Sequence, residues 1–282
     1  MANRKKWADR LLTLAFGVCV LAVVWLLLQV TCFTSFRIPS HSMYPTLVSG
    51  DYILVNKWIM GARIFDIWEA VEDKEVKIHR LPGIRKVKRD DVLVFHYPYP
   101  VRKDSLSMDM LLYYVKRCIA LPGDTVEIRK GCYWINGTRK DSRWVRMNTG
   151  MESSWQDERQ WSVALGWTVQ QLGPLPVPAK GQTVMMDTMA VKMYGRLIEW
   201  EQKKPLVVHG NCIALGDSLI THYRFKENYY FMGGDNLESS NDSRYWGLVP
   251  EPYMVGVATR IWKSVSPHDG EVRWNRIMKK IE

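Results

Sequence analysis

Two side chains with the chemistry for acyl transfer stand out, Ser42 and Lys116. Ser42 lies in Ile38-Pro39-Ser40-His41-Ser42-Met43-Tyr44-Pro45-Thr46-Leu47. Lys116 lies in Tyr114-Val115-Lys116-Arg117-Cys118-Ile119-Ala120-Leu121-Pro122-Gly123-Asp124. A serine hydroxyl is a weak nucleophile until a base takes its proton. Lysine can be that base only when neutral, and its ordinary pKa is about 10.4. Lowering it to near 8 takes about 3 kcal/mol of desolvation, which an apolar wall can supply. On a strand, Tyr114 and Cys118 share the face of Lys116, and Arg117 points the other way. Taken singly, a strand lysine or a Ser-x-Ser is ordinary; the two together, each in a specific setting, point to a serine nucleophile with a lysine base.

The element placed just before Ser42 is apolar. Leu11 to Val30 carries no charge, and as a helix it spans roughly 30 Å, the thickness of a hydrocarbon core. Arg4, Lys5, Lys6 and Arg10 precede it against Asp9 alone, which places the N-terminus in the cytoplasm and the rest of the chain beyond the membrane. The alternative is a cleaved signal peptide. Its apolar region is shorter, about 7–15 residues, and Gln29-Val30-Thr31-Cys32-Phe33 makes a poor cleavage site. One retained span is expected.

The remainder reads as mostly β. Strands are expected at Asp51–Val55, Asp91–Phe95, Leu111–Ile119, Thr125–Ile128 and Tyr229–Met232, with a hairpin turn at Asn136-Gly137. A helix is expected at about Thr188–Gln202, capped by Asp187, because Ala190, Met193, Tyr194, Leu197 and Ile198 fall on one face. Gly131 to about Asn211, rich in Trp and Met, reads as an insertion between strands of the main body. Asn56 to Arg89 is a long connection. Trp58, Ile59, Met60, Phe65, Ile67 and Trp68 precede Lys74, Lys77, Arg80, Arg85, Lys86, Lys88 and Arg89, a pairing of aromatic and basic residues that suits a membrane interface or a solvated loop with core anchors. The net charge of +10 permits contact with anionic lipid. Nucleic acid is not expected as a partner, since no zinc-finger, bZIP or RRM signature is present. Five cysteines without CxxC and scattered histidines argue against a metal site. An oxidising compartment would allow one disulfide, with Cys132–Cys212 the leading pair, although spacing cannot fix pairing.

Three segments give the chain a resemblance to bacterial type I signal peptidases, the membrane-bound Ser/Lys proteases. The first is Pro39 to Leu47 followed by Gly50-Asp51. The second is Tyr114-Val115-Lys116-Arg117 followed by Leu121-Pro122-Gly123-Asp124. The third is Gly234-Asp235-Asn236, Ser240, Asp242-Ser243-Arg244-Tyr245-Trp246-Gly247 and Val249-Pro250. The resemblance covers roughly residues 33–128 and 212–265. It implies a signal-peptidase/LexA-type β catalytic core with a smaller inserted α+β region, preceded by one transmembrane helix. The corresponding division is 1–10 cytoplasmic, 11–30 anchor, 31–130 with 212–282 catalytic core, and 131–211 inserted second domain.

The resemblance also implies roles. Ser42 would attack the scissile carbonyl and Lys116 would serve as base. Ser240 would hydrogen-bond the amine, and the Ser42 N–H with the Ser40 hydroxyl would form the oxyanion hole. Asp242 and Arg244 would pair, with Asp235 nearby. Phe36, Ile38, Met43, Leu47, Ile53, Val94 and Val115 would line shallow pockets favouring Ala-x-Ala before the cut. The expected partners are preprotein signal peptides and membrane lipid. No cofactor is implied, and a monomer in the inner (cytoplasmic) membrane is expected. The chain departs from the family at His41 and Asp90, where glycine is usual, and at Leu237, where arginine is common. Rival readings are a LexA-type self-cleaving protein and a non-catalytic, membrane-tethered scaffold.

Overall fold

The computed structural model describes residues 2–65, 78–99, 105–140, 160–210 and 212–282. Ile67, Trp68, Lys74 and Lys77 of the long connection lie outside the described residues, as does much of the Trp/Met-rich stretch, 141–159. Helix Ala2–Thr31 contains the apolar segment, and Asp9–Leu26 within it is long and apolar enough to cross a membrane. Among the described residues nothing covers that window.

A seven-stranded antiparallel sheet follows. Its order is Phe33–Arg37, Asp51–Asn56, Met254–Ser264, Val92–His96, Tyr113–Ala120, Tyr229–Gly233 and Val249–Pro250. The strands expected from sequence are present to within two residues at either end. The longest one, Met254–Ser264, carries no sequence expectation, and it lies third in the sheet, between Asp51–Asn56 and Val92–His96. Its register with Asp51–Asn56 and Val92–His96 slips at bulges, which bend a strand and increase its twist. The sheet curls enough that Phe36, on its first strand, meets Tyr113, on its fifth, with ring centroids 4.7 Å apart.

The curl separates two cores. A smaller one gathers Ile38, Met43, Leu47, Ile53, Val55, Val92, Val94, Val255, Ala258, Ile261 and Ile281. The larger core contains Leu93, Phe95 and Cys118 from alternate strand positions, and runs on into a four-stranded sheet, Gln171–Pro176, Thr125–Arg129, Cys132–Ile135, Thr138–Arg139. That small sheet straddles residue 131. Its hairpin turns at Asn136-Gly137, both with positive φ (53° and 76°), the geometry that favours Asn-Gly. Helix Thr188–Gln202 forms as its periodicity predicts. The Asp187 side chain accepts from the Ala190 N–H, and Ala190, Tyr194, Leu197 and Ile198 are buried. Cys132 and Cys212 are free thiols, so the disulfide expectation is corrected; they sit in different sheets.

Candidate active site

The residues around Ser42 form a tight loop between Phe33–Arg37 and Asp51–Asn56. Ile38 and Asp51 close its ends, the Ile38 N–H donating to the Asp51 carbonyl at 2.8 Å. Within the loop the Val48 N–H donates to the Asp51 carboxylate at 2.9 Å. Arg276, from near the C-terminal end, donates to both Asp51 oxygens and to the Thr46 carbonyl. From the other side, the Asn236 N–H donates to the Ser42 carbonyl at 3.1 Å and its side-chain amide to the His41 carbonyl at 3.3 Å. Any side chain at Gly234 would collide with Ser240 and the Ser42 carbonyl, so only glycine permits this approach.

Lys116 reaches this loop from the strand Tyr113–Ala120. Its Nζ donates to the Ser42 Oγ at 2.7 Å. Both residues are buried, Lys116 at 4% exposure and Ser42 at 8%. The Tyr114 ring lies 5.5 Å from the amine and is held in turn by Tyr97, stacked on it at 4.5 Å, and by Phe95. Burial lowers the Lys116 pKa to about 8, opposed by the charges of Asp242 and Asp235 and assisted by that of Arg244. Ser40 Oγ stands 3.4 Å from Ser42 Oγ, on the exposed side.

Two buried ion pairs flank Ser42 and Lys116. Arg244 donates to Asp242 at 2.8 Å. Burial by itself would raise the Asp242 pKa, but the Arg244 charge and hydrogen bonds hold it below the ordinary carboxylate value. Ser240 Oγ donates to Asp242 Oδ2 at 2.8 Å, and the expected bond between Ser240 and the lysine amine does not form among the described residues, where Lys116 Nζ bonds Ser42 instead. Asp235 pairs with Arg117, which grips both carboxylate oxygens at 2.7 Å. Thr46 Oγ1 also donates to Asp235. Arg117 does point away from Lys116, yet its far face is as buried as the near one, with 0% exposure.

A groove of about 270 Å³ opens above Ser42. Phe36, Ile38, Met43 and Val115 line it with Arg37, Ser40, Tyr113 and Tyr114. Leu47, Ile53 and Val94, also expected there, are fully buried in the smaller core beneath it, because their alternate strand and loop positions face inward. His41 is exposed, and its ring makes no hydrogen bond to Ser42 among the described residues. No cluster able to hold a metal occurs among the described residues.

The family profile described as "Signal peptidase, peptidase S26" matches residues 10–263. The chain belongs to that family. Signal peptidase I of Buchnera aphidicola (subsp. Schizaphis graminum) is 29% identical over 84% of this chain and 70% of its own length. Signal peptidase I of Pseudomonas fluorescens is 29% identical over 90% of this chain and 73% of its own. That of Helicobacter pylori (strain ATCC 700392 / 26695) is 26% identical over 94% and 89%. Membership in the peptidase S26 family makes this chain a serine peptidase that removes signal peptides. Thr46, Asp51, Arg117 and Arg276 brace the Ser42 loop without having been assigned a role from sequence. The available signal was that Thr46, Asp51 and Arg117 lie within the matched segments; Arg276 had none.

Proposed function

We propose that this S26 peptidase cleaves preproteins through a Ser42/Lys116 dyad. The observation that carries the reading is the 2.7 Å contact between a buried amine and a buried hydroxyl, an amine that makes no ion pair among the described residues. In its neutral form Lys116 takes the hydroxyl proton as Ser42 Oγ attacks the scissile carbonyl. The leaving amine then receives that proton, and an ester remains on Ser42. Water, deprotonated by the same amine, hydrolyses the ester. The Ser42 N–H, which donates to no backbone carbonyl among the described residues, and the Ser40 hydroxyl stabilise the oxyanion. Asp242–Arg244 and Asp235–Arg117 hold the two catalytic segments in register.

The substrate lies extended along the groove. Tyr229–Gly233 pairs with Arg117–Ala120 only, which leaves the Tyr113–Lys116 edge open to an added strand. Ile38, Met43 and Val115 leave room for small side chains, hence the Ala-x-Ala preference. The helix Ala2–Thr31 spans the inner membrane with the N-terminus in the cytoplasm and the catalytic body outside. The enzyme acts as a monomer on signal peptides held in the same lipid plane, where confinement raises their effective concentration, and nucleic acid is no partner.

The test is incubation of the purified chain with a preprotein in detergent, followed by sequencing of the new N-terminus. Ser42→Ala and Lys116→Ala should each abolish cleavage with the circular dichroism spectrum unchanged. Full activity in either variant removes the dyad.

A further inference from the structure

A half-buried cation without a partner among the described residues lies behind the aromatic end of the groove. Arg63 sits on the two-residue strand Arg63–Ile64, directly opposite Arg80 of His79–Arg80. Like charges across a ladder repel. Arg80 is satisfied by the carbonyls of Gly61, Glu251 and Met254. Arg63 makes no hydrogen bond or ion pair among the described residues, and its Nη1 is buried without a partner. Its guanidinium rests 5.7 Å from the Phe65 ring centroid. Burial, then Arg80, lower its pKa to about 10, so it stays charged at neutral pH. A buried guanidinium left in this state calls for an anion.

Its surroundings identify the kind of anion. Lys57 adjoins the end of the membrane helix, its Nζ donating to the Gln29 carbonyl at 3.0 Å and its N–H to the Cys32 carbonyl at 2.8 Å. The turn between Lys57 and Arg63 closes through the Gly61 N–H and the Trp58 carbonyl at 3.3 Å, and after burial the Arg63 charge is what most depresses the Lys57 pKa. Trp58 (52% exposed) and Ile64 (55%) present apolar surface beside them. Cations at the end of a membrane helix, flanked by exposed Trp and Ile, match the phosphate depth of a bilayer.

We infer that Arg63 and Lys57, with Trp58 and Ile64 in the acyl boundary, form a headgroup site for an anionic phospholipid. The lipid phosphate accepts from the free Arg63 N–H groups. This rests on the membrane-anchored reading and not on the dyad. The site also adjoins the groove. Tyr113 stacks at 4.7 Å on buried His96 and at 4.7 Å on Phe36, which lines the groove. His96 and Tyr113 both feel the Arg63 charge, so an occupied site neutralises the cation behind that aromatic wall.

The experiment is native mass spectrometry of the full chain, released from nanodiscs of equal phosphatidylglycerol and phosphatidylcholine. The wild type should retain phosphatidylglycerol selectively. Arg63→Gln should weaken that retention about tenfold or more, as expected for loss of a charge-assisted bond. Arg63→Lys should preserve most of it, and Ser42→Ala should match the wild type, which separates this outcome from any failure of the catalytic reading. Should Arg63→Gln fail to fold by circular dichroism, Lys57→Gln takes its place and should weaken retention several-fold. Retention of phosphatidylglycerol by the folded variant at the wild-type level overturns the proposal. So does its displacement by millimolar inorganic phosphate, which would mark a site for free anion.

Discussion

Varying pH across the Lys116 transition tests the proposed base directly. With a pKa of about 8, about one amine in eleven is neutral at pH 7. At the ordinary value of 10.5, about one in three thousand would be. Burial therefore raises the competent fraction roughly three-hundredfold, or about 3 kcal/mol. The expected profile of kcat/KM for a preprotein rises with unit slope below pH 8 and levels above it. The same shift opposes folding. Between about pH 8 and 10.5 the native state binds fewer protons than the unfolded one, so stability rises with pH through that window. Below pH 8 the full cost of a buried charge is present. Lys116→Met should thus abolish cleavage while raising stability at pH 7 by about 2 kcal/mol, after allowing about 1 kcal/mol for the lost bond to Ser42. Urea unfolding of the two proteins at pH 7 and pH 10 measures it. An acidic limb centred near pH 10, or a destabilised Lys116→Met at pH 7, would refute the reasoning.

Three further outcomes follow from the supports of the site. Asp235→Asn leaves Arg117 charged and buried without its carboxylate, so denaturant unfolding should show a loss of about 3–5 kcal/mol; an unmoved midpoint would contradict the pairing. Asp90, at φ 73°, occupies a left-handed position where the family prefers glycine. Asp90→Gly should change stability by no more than about 1 kcal/mol, in the favourable direction, because relief of backbone strain outweighs the exposed pair with Lys140. A clear drop in melting temperature would count against that reading. Arg276→Ala should loosen the Ser42 loop through Thr46 and Asp51, lowering kcat more than it raises KM in a steady-state assay. Equal effects on both would show that the loop is held by its other bonds.

The sequence carried the strands of the catalytic body because they are short runs of β-branched and aromatic residues bounded by Gly, Pro or Asp, and the helix Thr188–Gln202 because its helical periodicity is unbroken. It did not carry Met254–Ser264. That strand is buried on both faces over its first five residues and then bulges twice, so no alternation survives to be read. Gly256 weakens the signal further, and it is needed there because a side chain would strike the Asn56 carbonyl. Ser42 and Lys116, which the structure brings into contact, stand out by type and setting, and the lining of the groove only in part. Leu47, Ile53 and Val94 are as apolar as Met43 and Val115, and hydrophobicity does not say which apolar residue faces a groove and which faces the core. Arg117 was legible in direction but not in environment. A period of two assigns its face, whereas the burial of that face depends on Asp235 and Thr46, many residues away in sequence.

Lys116 and Arg117 make the underlying physical requirement plain. They are adjacent on one strand, point to opposite faces and are both buried, yet the site needs opposite protonation states from them. Arg117 is given a carboxylate that takes two of its N–H groups, and a threonine and two carbonyls that take others. Lys116 is given a hydroxyl and the face of a tyrosine, neither of which compensates a full charge. Its nearest carboxylates are already committed, Asp242 to Arg244 and Ser240, Asp235 to Arg117. Each pair thereby removes an anion that would otherwise hold the amine protonated. On this account the two ion pairs contribute to catalysis less by touching the substrate than by leaving the lysine the one buried cation of the dyad without a counter-charge.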